Sequence, residues 1–296
     1  MLSILIPTYN YNVVPLVKAL YKQIVEENIL FEIICFDNGS KSILNDNNEE
    51  LNSMNHCHFT SLEKDVGRSK IRNLLAKKSK YDWLLFLDAD VLPVDKFLIR
   101  NYLLSIDLKQ NVYYGGLKYD DIKPSKNKLL RWVYGKSREE IPIEKRTLNP
   151  KKYFSSANFL IKKKIFRSFN FDENLTKYGH EDTLLALELV RNGSEIAQVD
   201  NPVYHLGLDE NKVFLQKTRA AVENLLKLNE QNKITIKENK LLNHFSKIKS
   251  LNLINLIAFF YKKNIKKMEK NLTSTNPSLL IFDLYKMGYL CSITSN

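Results

Sequence analysis

Three short apolar runs constrain this chain more than any other feature. Residues 2–6, 33–36 and 83–87 are unbroken stretches of apolar or β-favouring side chains, apart from Ser3 in the first. Each run stops in a small polar group: Pro7-Thr8-Tyr9-Asn10, Asp37-Asn38-Gly39-Ser40 and Asp88-Ala89-Asp90. A strand with one wet face alternates polar and apolar residues, whereas a strand covered on both faces reads as a continuous apolar run. Amphipathic stretches long enough for helices lie at 13–26, 67–78 and 94–108. Such strand and helix alternation predicts a layered α/β domain with a mostly parallel central sheet. In open parallel sheets ligands bind outside the carboxyl ends of the strands, so the three polar groups are expected to converge on one crevice.

Asp88 and Asp90 are two residues apart, and in extended backbone their carboxylates point to the same side. At a buried strand end two unneutralised carboxylates repel and shift each other's pKa, which a divalent cation carrying a phosphate would relieve. A plain turn holding two aspartates is the simpler alternative. No Gly-x-Gly-x-x-Gly follows the first run and no Gly-x-x-x-x-Gly-Lys-Ser/Thr occurs anywhere, which removes two common phosphate cradles. Beyond residue 108 a strand is expected at 113–117, inside a charged segment 109–150 read as a variable insertion. Order returns at 154–161. A helix is predicted over 182–191, closed by Asn192-Gly193, then a strand over 195–199 and a Lys-rich helical region from 211.

In order and spacing, Ser3-Ile4-Leu5-Ile6-Pro7-Thr8-Tyr9-Asn10, the segment 32–40, Gly67-Arg68-Ser69 with Arg72-Asn73, and Leu87-Asp88-Ala89-Asp90 resemble the family 2 glycosyltransferases of GT-A fold. The similarity continues through Ala157-Asn158, Phe171-Asp172-Glu173, Gly179-His180-Glu181-Asp182 and Val203-Tyr204-His205. Each motif alone is weak; the ordered set is specific. The resemblance implies a GT-A catalytic domain over 1–210 and a helical extension over 211–296. It implies a metal-dependent, inverting transfer of a sugar from a UDP-linked donor to an acceptor hydroxyl, in polysaccharide or glycolipid synthesis. The acceptor would be a saccharide or a lipid-linked saccharide. Pro7, Thr8 and Tyr9 would line the nucleotide pocket, with Gly67 also on the donor side. Asp37 would accept an N–H of the base, Arg72 would lie along the nucleotide, and Asp88 would face the ribose or sugar. Asp90 would ligate Mn²⁺ or Mg²⁺, with His205 beside the metal. Asp182 would be the general base and Glu181 would position the acceptor, which Asn158 and His180 would also touch. Plainer readings stand beside these: an Asx turn for Asp37, an exposed helix charge for Arg72, and helix capping for Glu181 and Asp182. Two departures from the family pattern are Asn38, where a second aspartate often follows Asp37, and Asp65, where asparagine is frequent.

Composition narrows the partners. With 45 Lys+Arg against 33 Asp+Glu the chain has a formal charge of +12, which favours anionic partners without choosing among them. An RNA-binding protein and a nucleotidyltransferase are the rival readings. No aromatic RNP-like motif is present, so nucleic acid is not an expected partner. Three widely spaced cysteines and a first segment without a basic leader make cytoplasm the expected location. The apolar run 251–260 is too short to span a bilayer but is flanked by lysines; a helix packed on the catalytic domain with its lysines solvated is the plainer reading, and peripheral membrane contact through 247–267 stands beside it should the acceptor be lipid-linked.

Overall fold

The structure, a computed structural model, describes residues 1–106, 110–175 and 177–295. The last two residues of the helix expected over 94–108, and the first of the expected insertion, lie outside the described residues. The chain divides into two compact units, 1–120 with 139–176 and 181–207, and 121–138 with 177–180 and 208–296.

The strands of the first unit are β1 (Leu2–Thr8), β2 (Phe31–Asp37), β3 (Cys57–Ser61), β4 (Trp83–Leu87), β5 (Val91–Pro93), β6 (Val112–Tyr114), β7 (Leu117–Lys118), β8 (Asn158–Lys162), β9 (Ile196–Gln198) and β10 (Val203–His205). Seven form one sheet in the order β3-β2-β1-β4-β8-β6-β9, and β5-β10-β7 form a small second sheet. β3, β2, β1 and β4 run parallel, while β8 is antiparallel to both its neighbours. The order 3-2-1-4 places the ends of β1, β2 and β4 side by side, as the polar groups after the apolar runs require.

The unbroken apolar runs are covered on both faces. Ile4, Ile6, Ile33, Cys35, Leu85 and Leu87 join a core with the helices Val14–Glu26 and Leu98–Ile106. Leu5, Ile34, Leu84 and Phe86 point the other way, into a core with the helices Arg68–Lys78 and Glu181–Arg191. There Phe86 stacks on Phe159 at 4.8 Å and meets Phe166 and Phe171. Full burial of each such side chain is worth about 1.5–3 kcal/mol, which explains why so short a strand tolerates charged residues at its end.

The segment 109–150 is not one insertion. Val112–Tyr114 is an inner strand of the main sheet, paired with β8 and β9, and its residues are fully buried. Arg146 sits inside the first unit, donating to the carbonyls of Tyr114, Gly115, Ile141 and Val199 and to Gln198 Oε1, and crossing the Tyr114 ring at 5.2 Å. A buried guanidinium that satisfies this many backbone acceptors anchors 139–150 to the sheet edge. The intervening helix Leu129–Arg138 belongs to the second unit.

The second unit is helical, with Asn211–Glu230, Lys240–Ser250, Ile254–Leu272 and Leu279–Thr294 as its main elements. Phe214, Leu215, Tyr261, Leu272, Phe282 and Tyr285 form its core with Leu130. Asn239 caps the second of these helices and Ser278 the fourth, each accepting backbone N–H groups of the first turn. A Cβ on Gly288 would come within 2.6 Å of the Tyr261 ring, so the last two helices pack against a missing side chain there. No helix among the described residues is long and apolar enough to cross a membrane.

Candidate active site

The helix Arg68–Lys78 opens after Gly67, whose φ of +91° strongly favours glycine at that position. Arg68 and Arg72 stand four residues apart and therefore share one face. Arg72 donates to Asp88 Oδ1 at 2.5 Å, at the end of β4, and its guanidinium also meets the Arg68 carbonyl and the Phe171 ring. Arg68 donates through Nε to Glu181 Oε1 at 2.7 Å, at the start of the helix Glu181–Arg191. One helix face thus joins the aspartates after β4 to the acid pair. Asn73 on the same helix ties in the loop before that pair, exchanging hydrogen bonds with Phe171 and reaching Glu173.

The two acids of the pair are unlike in charge state. Burial raises the Glu181 carboxyl, but Arg68 and then Arg72 outweigh it and hold the group below the ordinary carboxylate range. Asp182 is pushed up to about 7, first by burial and then by the Glu181 charge beside it, against the Thr183 amide that it accepts at 2.7 Å. At neutral pH Glu181 is an anion locked to an arginine, and Asp182 is poised to take up a proton. Asp88 resembles Glu181: burial raises it, and Arg72, Arg68 and His205 bring it below its usual value.

Asp90 follows on a turn into β5. That strand pairs antiparallel with β10, placing His205 opposite Val91 and bringing His205 Nε2 to 3.9 Å from Asp90 Oδ2. The Tyr119 ring stacks on the His205 imidazole at 5.4 Å, and the Tyr119 hydroxyl in turn meets Glu139. His205 Nδ1 is buried without a hydrogen-bond partner. Gly207 faces the Asp90 carboxylate so closely that a Cβ would fall 1.7 Å from Oδ2. Among the described residues no cluster of three or more His, Cys, Asp or Glu could hold a metal. Two protein ligands still suit a hard cation whose remaining positions are filled by diphosphate oxygens and water. Asp90 Oδ2 and His205 Nε2, 3.9 Å apart, fit that arrangement.

Several expected site residues have other placements. Asp37 is fully buried, and its carboxylate accepts the Ser40 amide at 2.9 Å, the Ser40 hydroxyl at 2.7 Å, and Asn45 and Ser61 at 3.0 Å each. Burial raises Asp37, and these bonds together lower it below the ordinary range. These bonds fix the turn after β2, as the Asx-turn reading expects. Thr8, beside Asp37 in the β1–β2 register, is also buried, while Pro7 is half-buried and Tyr9 is 59% exposed. Asn158 lies in the core, not at an acceptor surface. It accepts from the Tyr102 hydroxyl at 2.7 Å and donates to the carbonyls of Gly116 and Asn201 at 3.0 and 2.9 Å, which uses its amide fully. His180, with φ +71°, belongs to the second unit, whereas Glu181 and Asp182 belong to the first.

The two departures from the family pattern touch each other. Asn38 Nδ2 donates to Asp65 Oδ1 at 2.6 Å, and the same oxygen accepts the Gly67 amide at 2.8 Å. Asn38 Oδ1 accepts the Val66 amide. An amide at 38 and a carboxylate at 65 keep one amide–carboxylate hydrogen bond with the partners exchanged.

The sequence profile of glycosyl transferase family 2 matches residues 3–169, more than half of the chain. The chain belongs to glycosyl transferase family 2. It is 30% identical over 240 residues to the chondroitin synthase of Escherichia coli, a match covering 69% of this chain but only 34% of that enzyme's length. Among solved structures it resembles residues 1–349 of S. aureus TarS, with TM-score 0.53 and 17% identity over 99% of this chain and 90% of the other. It also resembles the mannosyltransferase PcManGT of Pyrobaculum calidifontis in complex with GDP-Man and Mn²⁺, with TM-score 0.58 and 12% identity over all of this chain and 87% of the other. These likenesses establish the fold as GT-A. Arg68, Asn73, Tyr119 and Gly207 touch the candidate residues or the segments that carry them, and sequence reading gave them no role. The i,i+4 spacing of Arg68 and Arg72 was available as a signal. Gly207 gave none, because its requirement arises only where β5 and β10 pair.

Proposed function

We propose that this family 2 glycosyltransferase moves a sugar from a nucleotide-sugar donor, UDP-linked, to a hydroxyl of a saccharide or lipid-linked saccharide, with inversion at the anomeric carbon. The observation that carries the reading is the unequal acid pair: Glu181 fixed as an anion by Arg68, and Asp182 raised toward neutrality beside it. A general base works best with a pKa near the working pH, and such a base contributes about 10²–10⁴-fold.

In this reading the acceptor oxygen attacks the anomeric carbon as its proton passes to the Asp182 carboxylate. The bond from that carbon to the diphosphate oxygen breaks, and the nucleoside diphosphate leaves with the electron pair. One in-line displacement inverts the centre. Mn²⁺ or Mg²⁺, held by Asp90 and His205, would supply charge neutralisation for the leaving diphosphate. Arg72 and Arg68 hold Asp88 and Glu181 in place by charge-assisted hydrogen bonds, and so keep the two ends of the crevice in register. UDP-GlcNAc bound to TarS and GDP-Man bound to PcManGT support a nucleotide-sugar donor by analogy of fold. The chondroitin synthase relative supports a polysaccharide product.

Thermal stabilisation by a panel of nucleoside diphosphates, with and without Mn²⁺, tests the donor reading. Stabilisation by about 2.7 kcal/mol is expected at 100-fold excess over Kd, and only with the metal. Product analysis separates the nearest rival: release of pyrophosphate in place of a nucleoside diphosphate would identify a nucleotidyltransferase.

A further inference from the structure

The helix Ile254–Leu272 has two faces of opposite assignment. Ala258, Tyr261 and Leu272 are buried, and Ile265 and Met268 pack on the core of the second unit, all on one stripe at helical spacing. The opposite stripe begins with Leu256, Phe259 and Phe260, which are 50%, 59% and 54% exposed, the two phenylalanine rings in contact at 5.8 Å. It continues one and two turns later as Lys263, Lys266, Lys267 and Lys270, all exposed. The turn before the helix adds Leu251 and Leu253, 66% and 36% exposed, preceded by exposed Lys247 and Lys249. Large apolar side chains gathered on an outer surface mark a contact site.

Charge selects the partner. From 239 to 268 the chain has seven lysines and not one Asp or Glu. Residues 211–296 as a whole carry 15 Lys+Arg against 5 Asp+Glu, so most of the net charge of +12 is here. A second copy of this chain would bring like charge to like charge. A surface that is anionic and apolar just beneath satisfies both halves of the stripe: leucines and phenylalanines enter the acyl boundary while the lysines remain among the headgroups.

We infer that the exposed face of residues 247–270 docks on a bilayer containing anionic lipid, with Leu251, Leu253, Leu256, Phe259 and Phe260 inserted at the interface and the lysines contacting the headgroups. The surface needs neither donor nor turnover, so its failure and that of the transferase reading are separable.

The test is co-sedimentation of the full chain with vesicles of phosphatidylcholine containing phosphatidylglycerol, compared with pure phosphatidylcholine. Binding is expected to the anionic vesicles alone and to weaken with salt. Phe259→Ser combined with Phe260→Ser should reduce it by at least about tenfold, since exposed rings lose insertion without disturbing the core. Lys263→Glu with Lys267→Glu should do the same by at least about tenfold through charge, leaving the melting temperature unchanged. Equal affinity for both vesicle types, no binding to either, or concentration-dependent dimerisation abolished by the phenylalanine changes would overturn the inference.

Discussion

Arg68 Nε lies 2.7 Å from Glu181 Oε1, and in the proposed reading this contact leaves Asp182 as the member of the acid pair available for proton transfer. Glu181 is held as an anion, and its charge in turn raises Asp182. The same two arginines bind the carboxylates of Asp88 and Glu181, so the helix Arg68–Lys78 acts as a strut between them.

The pH dependence of kcat/KM follows from this coupling. Asp182 must be ionised to accept a proton, so kcat/KM should rise on the acid side with an apparent pKa near 7. Glu181→Gln removes the charge that raises Asp182, and the acid limb should move to lower pH. An unmoved limb in that variant would separate the two carboxyls.

Stability should carry the same signature with the opposite sense. Folded Asp182 keeps its proton up to about 7, whereas an unfolded aspartate loses it near 3.9. Between these values the folded state holds more protons, so this group lowers stability as pH rises, and the loss is complete above the folded pKa. Asp182→Asn should therefore melt at a higher temperature than the wild type at pH 8, with the gain vanishing below about pH 4. Thermal melts across that range measure it.

Gly207 supplies a test of the Asp90 position that leaves every polar group intact. A methyl group there would collide with the Asp90 carboxylate. Gly207→Ala should weaken Mn²⁺-dependent nucleotide binding by about 10–100-fold, as displacement of a ligand's support typically does. Titration calorimetry with a nucleoside diphosphate and Mn²⁺ reads the change directly.

The exchanged pair at 38 and 65 predicts non-additivity. Asn38→Asp alone would set two carboxylates against each other across a 2.6 Å contact, and Asp65→Asn alone would take the charge from the acceptor of the Gly67 amide and set two amides against each other. Together they restore an amide–carboxylate pair. The double variant should recover stability relative to the sum of the singles, with a coupling energy of about 0.5–3 kcal/mol in denaturant melts.

Much of this arrangement was legible because it depends on local pattern. Continuous apolar runs ending in polar residues marked β1, β2 and β4, and the ordered motifs marked Asp88, Asp90, Glu181 and Asp182. What sequence could not show was how far a polar residue near a strand end is engaged within the fold. Asp37 and Asn158 have the right types in the right order, yet their hydrogen bonds close on Ser40, Asn45 and Ser61, and on Tyr102, Gly116 and Asn201. Those partners come from distant segments. A strand was expected at 113–117, but its place inside the main sheet was not legible for a related reason: a three-residue strand is too short to show a period, and its burial depends on β8 and β9.

The most direct test of the account is Asp182→Asn, assayed in parallel for donor binding and for nucleoside diphosphate release in the presence of Mn²⁺ and acceptor. The predicted result is donor affinity within about twofold of the wild type with turnover reduced by about 10²–10⁴-fold, the loss expected for a missing general base. Turnover close to the wild-type value would contradict it.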